Sequence, residues 1–157
     1  MQTDCENSEN KNCFYENGLH FECNACSFCC RFEGGVVRLS QKDLEKLSSW
    51  AGLTVQQFEK AFCRTVENNQ GKIFLALREK QNHDCIFWKE GKGCEAYEAR
   101  PVQCSTYPFW DCLLKSRENW DQEGKKCPGI NQGKVWSKEE IENEAKKYHE
   151  RIPLEKK

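Results

Sequence analysis

The sequence has few hydrophobic residues for its length and no excess charge of either sign. Hydrophobic residues make up 38% of the 157 positions, and 25 acidic residues nearly balance 24 basic ones. A balanced charge creates no overall field that would draw the chain to nucleic acid or to an anionic membrane. Together with the twelve cysteines of the chain, the low hydrophobic content indicates that metal coordination supplies part of the folding free energy.

Targeting and membrane segments are also missing. Residues 1–10 contain no basic region followed by an apolar stretch, so they do not resemble a secretory signal. No apolar run approaches the length that a bilayer requires. These absences predict a cytoplasmic protein without a membrane partner, and the length predicts a single domain with a modest core.

Cysteine is the residue that the sequence has in excess, with twelve along the chain. Clustered cysteines in a reducing compartment are more often metal ligands than disulfides. Four of them, Cys23, Cys26, Cys29 and Cys30, lie within eight residues, and the two successive C-x2-C steps let one loop wrap a soft metal ion or a cluster. A secreted disulfide scaffold is the alternative, but such crowding suits a metal better than disulfide bridges.

The last two thiols of this loop are adjacent in the chain. Neighbouring side chains in an extended or looped segment tend to point apart. We therefore expect Cys29 and Cys30 to serve different metals, or one of them to serve a cluster with several metal atoms.

The remaining pattern predicts short elements without a regular alternation of strands and helices. Apolar periodicity and capping residues predict helices over 41–50, 55–64 and 138–148, with Cys63 inside the second helix. Strands are predicted over 36–39, 71–77 and 85–88, and a polar connection around Trp120. The predicted fold class is α+β: a small, irregular single domain of three or four helices and short strands wrapped around cysteine-ligated metal.

The predicted domain has a polar segment at each end. Residues 1–18 are rich in Asn and Glu and predict a flexible N-terminal arm. Residues 151–157 predict a frayed tail. The cysteine-cluster metal-binding domain then covers residues 19–150.

The cysteine pattern as a whole resembles one family. Its parts are C-x2-C-x2-C-C over 23–30, Cys85 followed by apolar residues, C-x2-Y-x2-R-P-x2-C-x2-Y-P-F over 94–109, and Cys127-Pro128-Gly129. Together they are similar to the YkgJ-type cysteine-cluster family, whose domain is described as chelating zinc or iron and which also includes flagellin lysine N-methylases. The resemblance covers roughly residues 21–130.

This resemblance implies a ligand set of eight cysteines. They are Cys23, Cys26, Cys29, Cys30, Cys85, Cys94, Cys104 and Cys127. The resemblance implies metal chelation but no particular reaction. The methylase members have additional sequence that is not recognisable here, so we do not assign methyltransferase activity to this chain. Ser105 stands where family members often have Arg, which leaves that position without an ionic role.

Two residues of the long motif are candidate cofactor-binding residues. Arg100 could donate hydrogen bonds to cluster sulfides, since its planar fork suits several acceptors, or could form a surface salt bridge with Glu95 or Glu98. Tyr107 could donate from a second layer around the metal, or could be an ordinary buried tyrosine with a satisfied hydroxyl.

Other potential ligands stay outside this set. Cys5 and Cys13 are interpreted as spare surface thiols, and Cys63 as a small buried hydrophobic residue. His20, His83 and His149 show no pair spacing. Neither Asp84 nor Asp111 is recognisable as a catalytic base, so no catalytic residue is assigned.

Eight thiols divide naturally into two four-sulfur sites, and each site suits either Zn(II) or an iron-sulfur cluster. The run C-x2-C-x2-C with a remote Cys127-Pro128 favours an iron-sulfur cluster. The aromatic residues Phe28, Phe32, Phe87, Trp88, Tyr107, Phe109 and Trp110 could exclude water from it, or could be ordinary core. Zinc is the alternative, because four-cysteine zinc is a common structural site.

The predicted function is a metal-binding protein that holds an iron-sulfur cluster, iron or zinc, with a redox or accessory role. One alternative is a zinc-stabilised protein-interaction module whose protein partner the sequence does not identify. The other is an iron-dependent enzyme of the modification or methyl-transfer type, with one metal position open to substrate.

Overall fold

The computed structural model describes residues 13–31 and 35–157. The described residues form five helices: α1 (Gln41–Ala51), α2 (Val55–Phe62), α3 (Val102–Ser105), α4 (Arg117–Gly124) and α5 (Lys138–Glu150). They also form seven strands: β1 (Leu19–Phe21), β2 (Cys63–Glu67), β3 (Ile73–Leu77), β4 (Trp88–Lys89), β5 (Gly93–Cys94), β6 (Ile130–Trp136) and β7 (Glu155–Lys156).

These elements confirm the predicted α+β class with short strands. The helix count is five rather than three or four, because the polar connection around Trp120 is helical. Cys5, Phe32 and most of the predicted N-terminal arm lie outside the described residues. That the fold wraps around metal stays a prediction.

The chain divides into two compact units. The first unit comprises the described residues within Met1–Cys26 together with Thr106–Glu150. The second unit comprises the described residues within Ser27–Ser105 together with Arg151–Lys157. The predicted domain bounds, 1–18, 19–150 and 151–157, stay a prediction.

Helices α1 and α2 of the second unit begin with capping boxes. The Ser40 side chain accepts from the backbone of Asp43 while the Asp43 carboxylate accepts from the Ser40 backbone, and Thr54 and Gln57 repeat the arrangement for α2. Each box satisfies amide groups that a helix N-terminus leaves unpaired. The predicted helix over 41–50 is confirmed.

The second predicted helix is shorter than expected. It ends at Phe62, and Cys63 begins β2 rather than lying in the helix. The reason is long-range pairing: β2 is antiparallel to β3 along its whole length, from Cys63 opposite Leu77 to Glu67 opposite Ile73. The helical periodicity of residues 55–64 contains no information about the pairing of β2 with β3.

The sheet of the second unit has the order β2-β3-β7. Within the stretch predicted as a frayed tail, β7 pairs with Ile73 and Phe74 of β3. The predicted strand over 36–39 is wrong as a continuous strand, and within it only Arg38 makes an isolated bridge, to Ala76. The backbone of Leu39 divides its hydrogen bonds between two segments, since it donates to the Leu75 carbonyl and accepts from the Leu154 amide. The core beneath combines α1, α2 and β3 side chains, including Leu44, Leu47, Phe58, Leu75 and Leu77.

A two-strand hairpin of β4 and β5 follows in the second unit, with Trp88 opposite Cys94. The predicted strand over 85–88 is therefore displaced. The Trp88 amide donates to the Cys85 carbonyl at 2.9 Å and closes a turn, so extended pairing begins only at Trp88.

The first unit is built on the antiparallel pair of β1 and β6. Its core joins these strands to α4 and α5 through Leu19, Phe21, Trp120, Ile130 and Ile141. The predicted C-terminal helix is confirmed as α5, with two acidic residues in its first turn and Lys147 and His149 in its last, as the helix dipole favours. In the part of the chain that the structure describes, no helix has the length and apolar character needed to cross a membrane.

Candidate metal centre

The cysteine loop follows β1 and has an unusual backbone. Asn24 Oδ1 accepts a hydrogen bond from the Cys26 amide at 3.2 Å. Ala25 and Ser27 have left-handed φ angles of 57° and 65°, which cost non-glycine residues roughly 1 kcal/mol each. Such strained conformations concentrate at functional sites, where neighbouring structure maintains them.

The two adjacent thiols do not point apart as expected. Cys29 and Cys30 lie in a short 3-10 turn, Phe28–Cys30, rather than in extended chain, and their Sγ atoms are 3.8 Å apart. A tetrahedral zinc with Zn–S bonds of about 2.3 Å holds its sulfurs at about this separation. Whether the two thiols serve different metals stays a prediction.

The second unit contains five of the eight predicted ligands: Cys29, Cys30, Cys85, Cys94 and Cys104. The Cys85 amide donates to the Cys30 carbonyl at 2.7 Å, Cys94 lies in β5, and Cys104 lies in α3 just after Pro101. A turn, a strand and a helix of the second unit therefore each contribute a thiol near Cys29 or Cys30.

Within this group the thiols interact electrostatically, and Cys30 takes part through Cys29, Cys85 and Cys104. Burial is the main cause that raises the pKa of Cys85, Cys94 and Cys104 above the ordinary thiol value, and charge on neighbouring thiols raises it further. Cys104 interacts electrostatically with Cys29, Cys85 and Cys94, and Cys94 also interacts with Cys29 and Cys85. For Cys30, the thiol of Cys29 is the first cause that raises the pKa, and burial is the second.

Arg100 lies beside this thiol group. Its positive charge lowers the pKa of Cys94 and Cys104 against the larger raising effect of burial. The guanidinium lies 3.7 Å from the ring centre of Tyr97, and Nε donates to the Tyr97 carbonyl at 3.0 Å. No carboxylate in the described residues forms an ion pair with Arg100, and Glu95 pairs with Lys89 at 2.8 Å instead. Donation from Arg100 to a bound cluster stays a prediction.

The first unit contains the other three predicted ligands, Cys23, Cys26 and Cys127. Cys127 is 7% exposed, whereas Cys23 and Cys26 are exposed. Burial is the main cause that raises the pKa of Cys127, and the charge of Cys26 adds a smaller increase. The backbone brings the segments together, since the Glu22 amide donates to the Gly129 carbonyl at 3.1 Å.

Tyr107 lies next to Cys127 in the first unit. Its hydroxyl donates to Glu123 Oε1 at 2.9 Å and also interacts with the Cys127 thiol. Burial, followed by the charges of Cys127 and Glu123, raises the pKa of Tyr107 far above its usual range. The half-buried hydroxyl of Tyr107 therefore has the Glu123 carboxylate as its acceptor and also interacts with the candidate ligand Cys127. A role of Tyr107 in supporting a bound metal stays a prediction.

The remaining cysteines and histidines have other surroundings. Cys13 donates weakly to Glu16 at 3.5 Å, Cys63 is 3% exposed in the apolar core, and Cys112 is exposed. His20 contacts the Gly133 carbonyl and His149 contacts Asp111. His83 lines a cavity of about 20 Å³ beside Cys29, Cys30 and Cys85, which has room for a single small ligand such as water.

The thiols are gathered but not yet in coordination geometry. No disulfide joins any of the eleven cysteines in residues 13–31 and 35–157. Over the same ranges, no three His, Cys, Asp or Glu side chains stand where they could hold a metal ion as they are. The donor set nevertheless fits zinc or iron, since thiolates are preferred ligands of both and binding would deprotonate and draw in the thiols.

Asp43 carried no sequence signal as a site residue, and Trp88 carried one only as one of the aromatic residues that could exclude water. Asp43 lies in α1, yet its Oδ1 accepts from the Val102 amide at 2.9 Å and so anchors α3. Trp88 faces Arg31, whose guanidinium lies 3.8 Å from the indole centre. Both contacts join segments far apart in the chain, and only tertiary structure brings them together.

Comparison with known proteins agrees with the thiol pattern. A family model described as "CxxCxxCC: Putative zinc- or iron-chelating domain" matches residues 22–132. Two uncharacterized proteins of Methanocaldococcus jannaschii are similar: MJ0661, 27% identical over 60% of this chain and 48% of its own length, and MJ0939, 29% identical over 82% of this chain and 42% of its own length. The chain thus spans less than half the length of these relatives. No solved structure matches it. Because the family model covers more than half of the chain, the protein belongs to this CxxCxxCC family of zinc- or iron-chelating type.

Proposed function

We propose that this protein binds zinc or iron through cysteine thiolates, with Cys29, Cys85, Cys94 and Cys104 as one four-sulfur site. The observation that carries the proposal is the grouping of these thiols in the second unit, where Cys104 interacts electrostatically with each of the other three. Four thiolates satisfy the coordination demand of one zinc or of one iron-sulfur cluster. Cys30 stays in the ligand set as the immediate neighbour of Cys29.

The thiols of Cys23, Cys26 and Cys127 form a second binding group in the proposal. Cys127 packs in an apolar, aromatic core with Phe21, Tyr107 and Phe109. An apolar surround limits solvent access and is one of the means by which proteins tune a cluster potential. This surround and the Cys127-Pro128 pair support an iron-sulfur cluster, which would supply one-electron redox chemistry in a carrier or accessory factor.

Zinc has its own support. The 3.8 Å separation of the Cys29 and Cys30 sulfurs equals the spacing of two ligands on one tetrahedral ion. A zinc-only protein would use the metal to hold the fold, and its function would be to bind a partner through the stabilised surface.

Metal analysis of protein purified without oxygen tests the proposal. An iron-sulfur protein should contain iron and acid-labile sulfide and show an absorption band. A zinc protein should contain zinc, no acid-labile sulfide and no such band. Cys104→Ser should lower the metal content by about one site per chain, because one of four thiolates is lost. The matched control is Cys112→Ser, an exposed thiol outside the set. Equal metal content in wild type and Cys104→Ser would overturn the ligand assignment.

A second candidate function is an enzyme whose metal has an open coordination position. The number of predicted ligands in the first unit favours this candidate. Only three predicted ligands lie there, and catalytic metal sites commonly have three protein ligands plus an exchangeable position. Cobalt(II)-substituted protein tests this candidate. Its visible spectrum should change when azide is added if a position is open, and Cys127→Ser should abolish that change. No response of the loaded wild type to azide would contradict the candidate.

A further inference from the structure

The indole of Trp88 has an unsatisfied hydrogen-bond donor next to the thiol group of the second unit. Trp88 is 9% exposed, and its Nε1 is buried without any acceptor in the described part of the chain. Two other buried or half-buried indoles are satisfied: Trp120 Nε1 donates to Asn131 Oδ1 at 2.9 Å, and Trp136 Nε1 donates to the Phe21 carbonyl at 2.9 Å. A buried donor without an acceptor is unfavourable, so Trp88 calls for an explanation.

The cross-strand neighbour of Trp88 is one of the candidate ligands, Cys94. Trp88 is directly opposite Cys94 in the antiparallel pair of β4 and β5, and opposed side chains lie on the same face with Cβ atoms roughly 5 Å apart. Its amide also donates to the Cys85 carbonyl. A neutral thiol is a weak acceptor, whereas a metal-bound thiolate carries the charge that strengthens a hydrogen bond.

The ring is held in place on more than one side. The Arg31 guanidinium lies 3.8 Å from the indole centre and is paired with Asp84 at 3.4 Å. Lys80 Nζ lies 5.8 Å from the indole centre and donates to the Trp88 carbonyl. A donor that is already oriented loses little entropy when its acceptor becomes charged.

We propose that the Trp88 indole N–H donates a hydrogen bond to the metal-bound thiolate of Cys94. The inference rests on the proposed function, and it makes Trp88 a positioning residue that withdraws charge from one ligand sulfur. Hydrogen bonds to ligand sulfurs are among the means by which proteins tune a metal centre. The indole N–H of Trp88 therefore has a hydrogen-bond acceptor only when metal is bound to Cys94.

Cadmium-loaded protein gives the direct test, because cadmium takes thiolate ligands and 113Cd is visible by nuclear magnetic resonance. In wild type labelled with 15N at tryptophan, the indole N–H signal of Trp88 is identified by its loss in Trp88→Phe. On loading, this signal should move to higher proton frequency, exchange more slowly with solvent and show coupling to 113Cd. The indole of Trp50, 42% exposed, should keep its position.

The affinity of the variants gives the second measurement. Trp88→Phe keeps an apolar ring and removes the donor, so cadmium should bind with unchanged stoichiometry and about ten-fold lower affinity. Trp50→Phe should bind as wild type does. If wild type binds no cadmium, both the proposed function and this inference fail. If it binds cadmium while the Trp88 signal is unmoved and uncoupled, only this inference fails.

Discussion

Individual cysteines in this protein differ in what surrounds their sulfur atoms. Cys63 lies among apolar side chains of the core, whereas Cys104 lies among other thiols and near the positive charge of Arg100. Both environments raise the thiol pKa, but only the second offers several sulfurs to one metal. The surroundings of a thiol, rather than its burial, therefore separate candidate ligands from structural cysteines.

Cys63 carries a prediction for the dependence of stability on pH. Burial, with a smaller effect of Glu59, raises the pKa of the Cys63 thiol from 9.0 to about 11. A thiol with a raised folded pKa contributes stability that is complete below the unfolded pKa and is lost as pH rises toward the folded value. The metal-loaded protein should lose about 2 kcal/mol of unfolding free energy from this group between pH 9 and pH 11.

Urea unfolding across this pH range checks the prediction. Cys63→Ala should be less stable at neutral pH because it leaves a cavity, yet its stability should fall less steeply above pH 9. Equal slopes for Cys63→Ala and wild type would show that the thiol does not titrate in this range.

At the scale of elements, helices and strands bring thiols from separate parts of the chain together. The α1 N-terminus is the clearest case in the second unit, since Asp43 accepts from Ser40 with Oδ2 and from the Val102 amide with Oδ1. One buried carboxylate thereby caps one helix and anchors α3, which contains Cys104.

Asp43→Ala should destabilise the protein by about 2–4 kcal/mol, because buried donors lose a charged acceptor. It should also weaken metal binding through α3 and speed hydrogen exchange of the Val102 amide. Ser40→Ala removes only the cap and should cost about 1 kcal/mol without affecting that amide. If metal affinity and hydrogen exchange of the Val102 amide were the same in Asp43→Ala as in Ser40→Ala, the role of Asp43 would be limited to capping α1.

A glycine in the first unit permits a close approach of two backbones. Gly129 follows Cys127-Pro128, and a methyl group added there would collide with the Glu22 carbonyl oxygen. Gly129→Ala should therefore separate Glu22 from Gly129 and reduce metal binding by the first unit. Metal titration followed by thiol-to-metal absorption measures this loss.

Gly35→Ala is the control, because a methyl group added at Gly35 meets no atom within 4 Å. It should leave the titration unchanged. Full metal binding by Gly129→Ala would mean that the close approach is not needed for the site.

At the scale of the whole molecule, two small cores each have their own group of thiols. The core of the second unit contains Cys63 and borders Cys85 and Cys94, while that of the first unit contains Cys127. With hydrophobic residues at only 38% of positions, we expect bound metal to supply a substantial part of the folding free energy.

Removing metal with a chelator should lower the melting temperature by about 10 °C or more, since 1 kcal/mol corresponds to roughly 2–4 °C at this chain length. Calorimetry with EDTA, against EDTA already saturated with zinc, measures the shift. An unchanged melting temperature after verified metal loss would contradict a stabilising role for the metal.

The sequence alone predicted what depends on local spacing. The cysteine run at 23–30 indicated metal chelation and led to the family, and capping residues with apolar periodicity predicted α1 and α5. These features depend on residues within a few positions of each other, where backbone geometry is nearly determined by residue type. The predicted eight-cysteine ligand set and the choice of metal stay predictions.

Tertiary structure alone decided the features that join distant segments. The pairing of β2 with β3 moved Cys63 from a helix to a strand. The grouping of five predicted ligands in one unit and three in the other, and the contact of Asp43 with Val102, likewise have no local signal. Their physical basis is cooperative packing and hydrogen bonding between residues tens of positions apart, which periodicity and spacing do not encode.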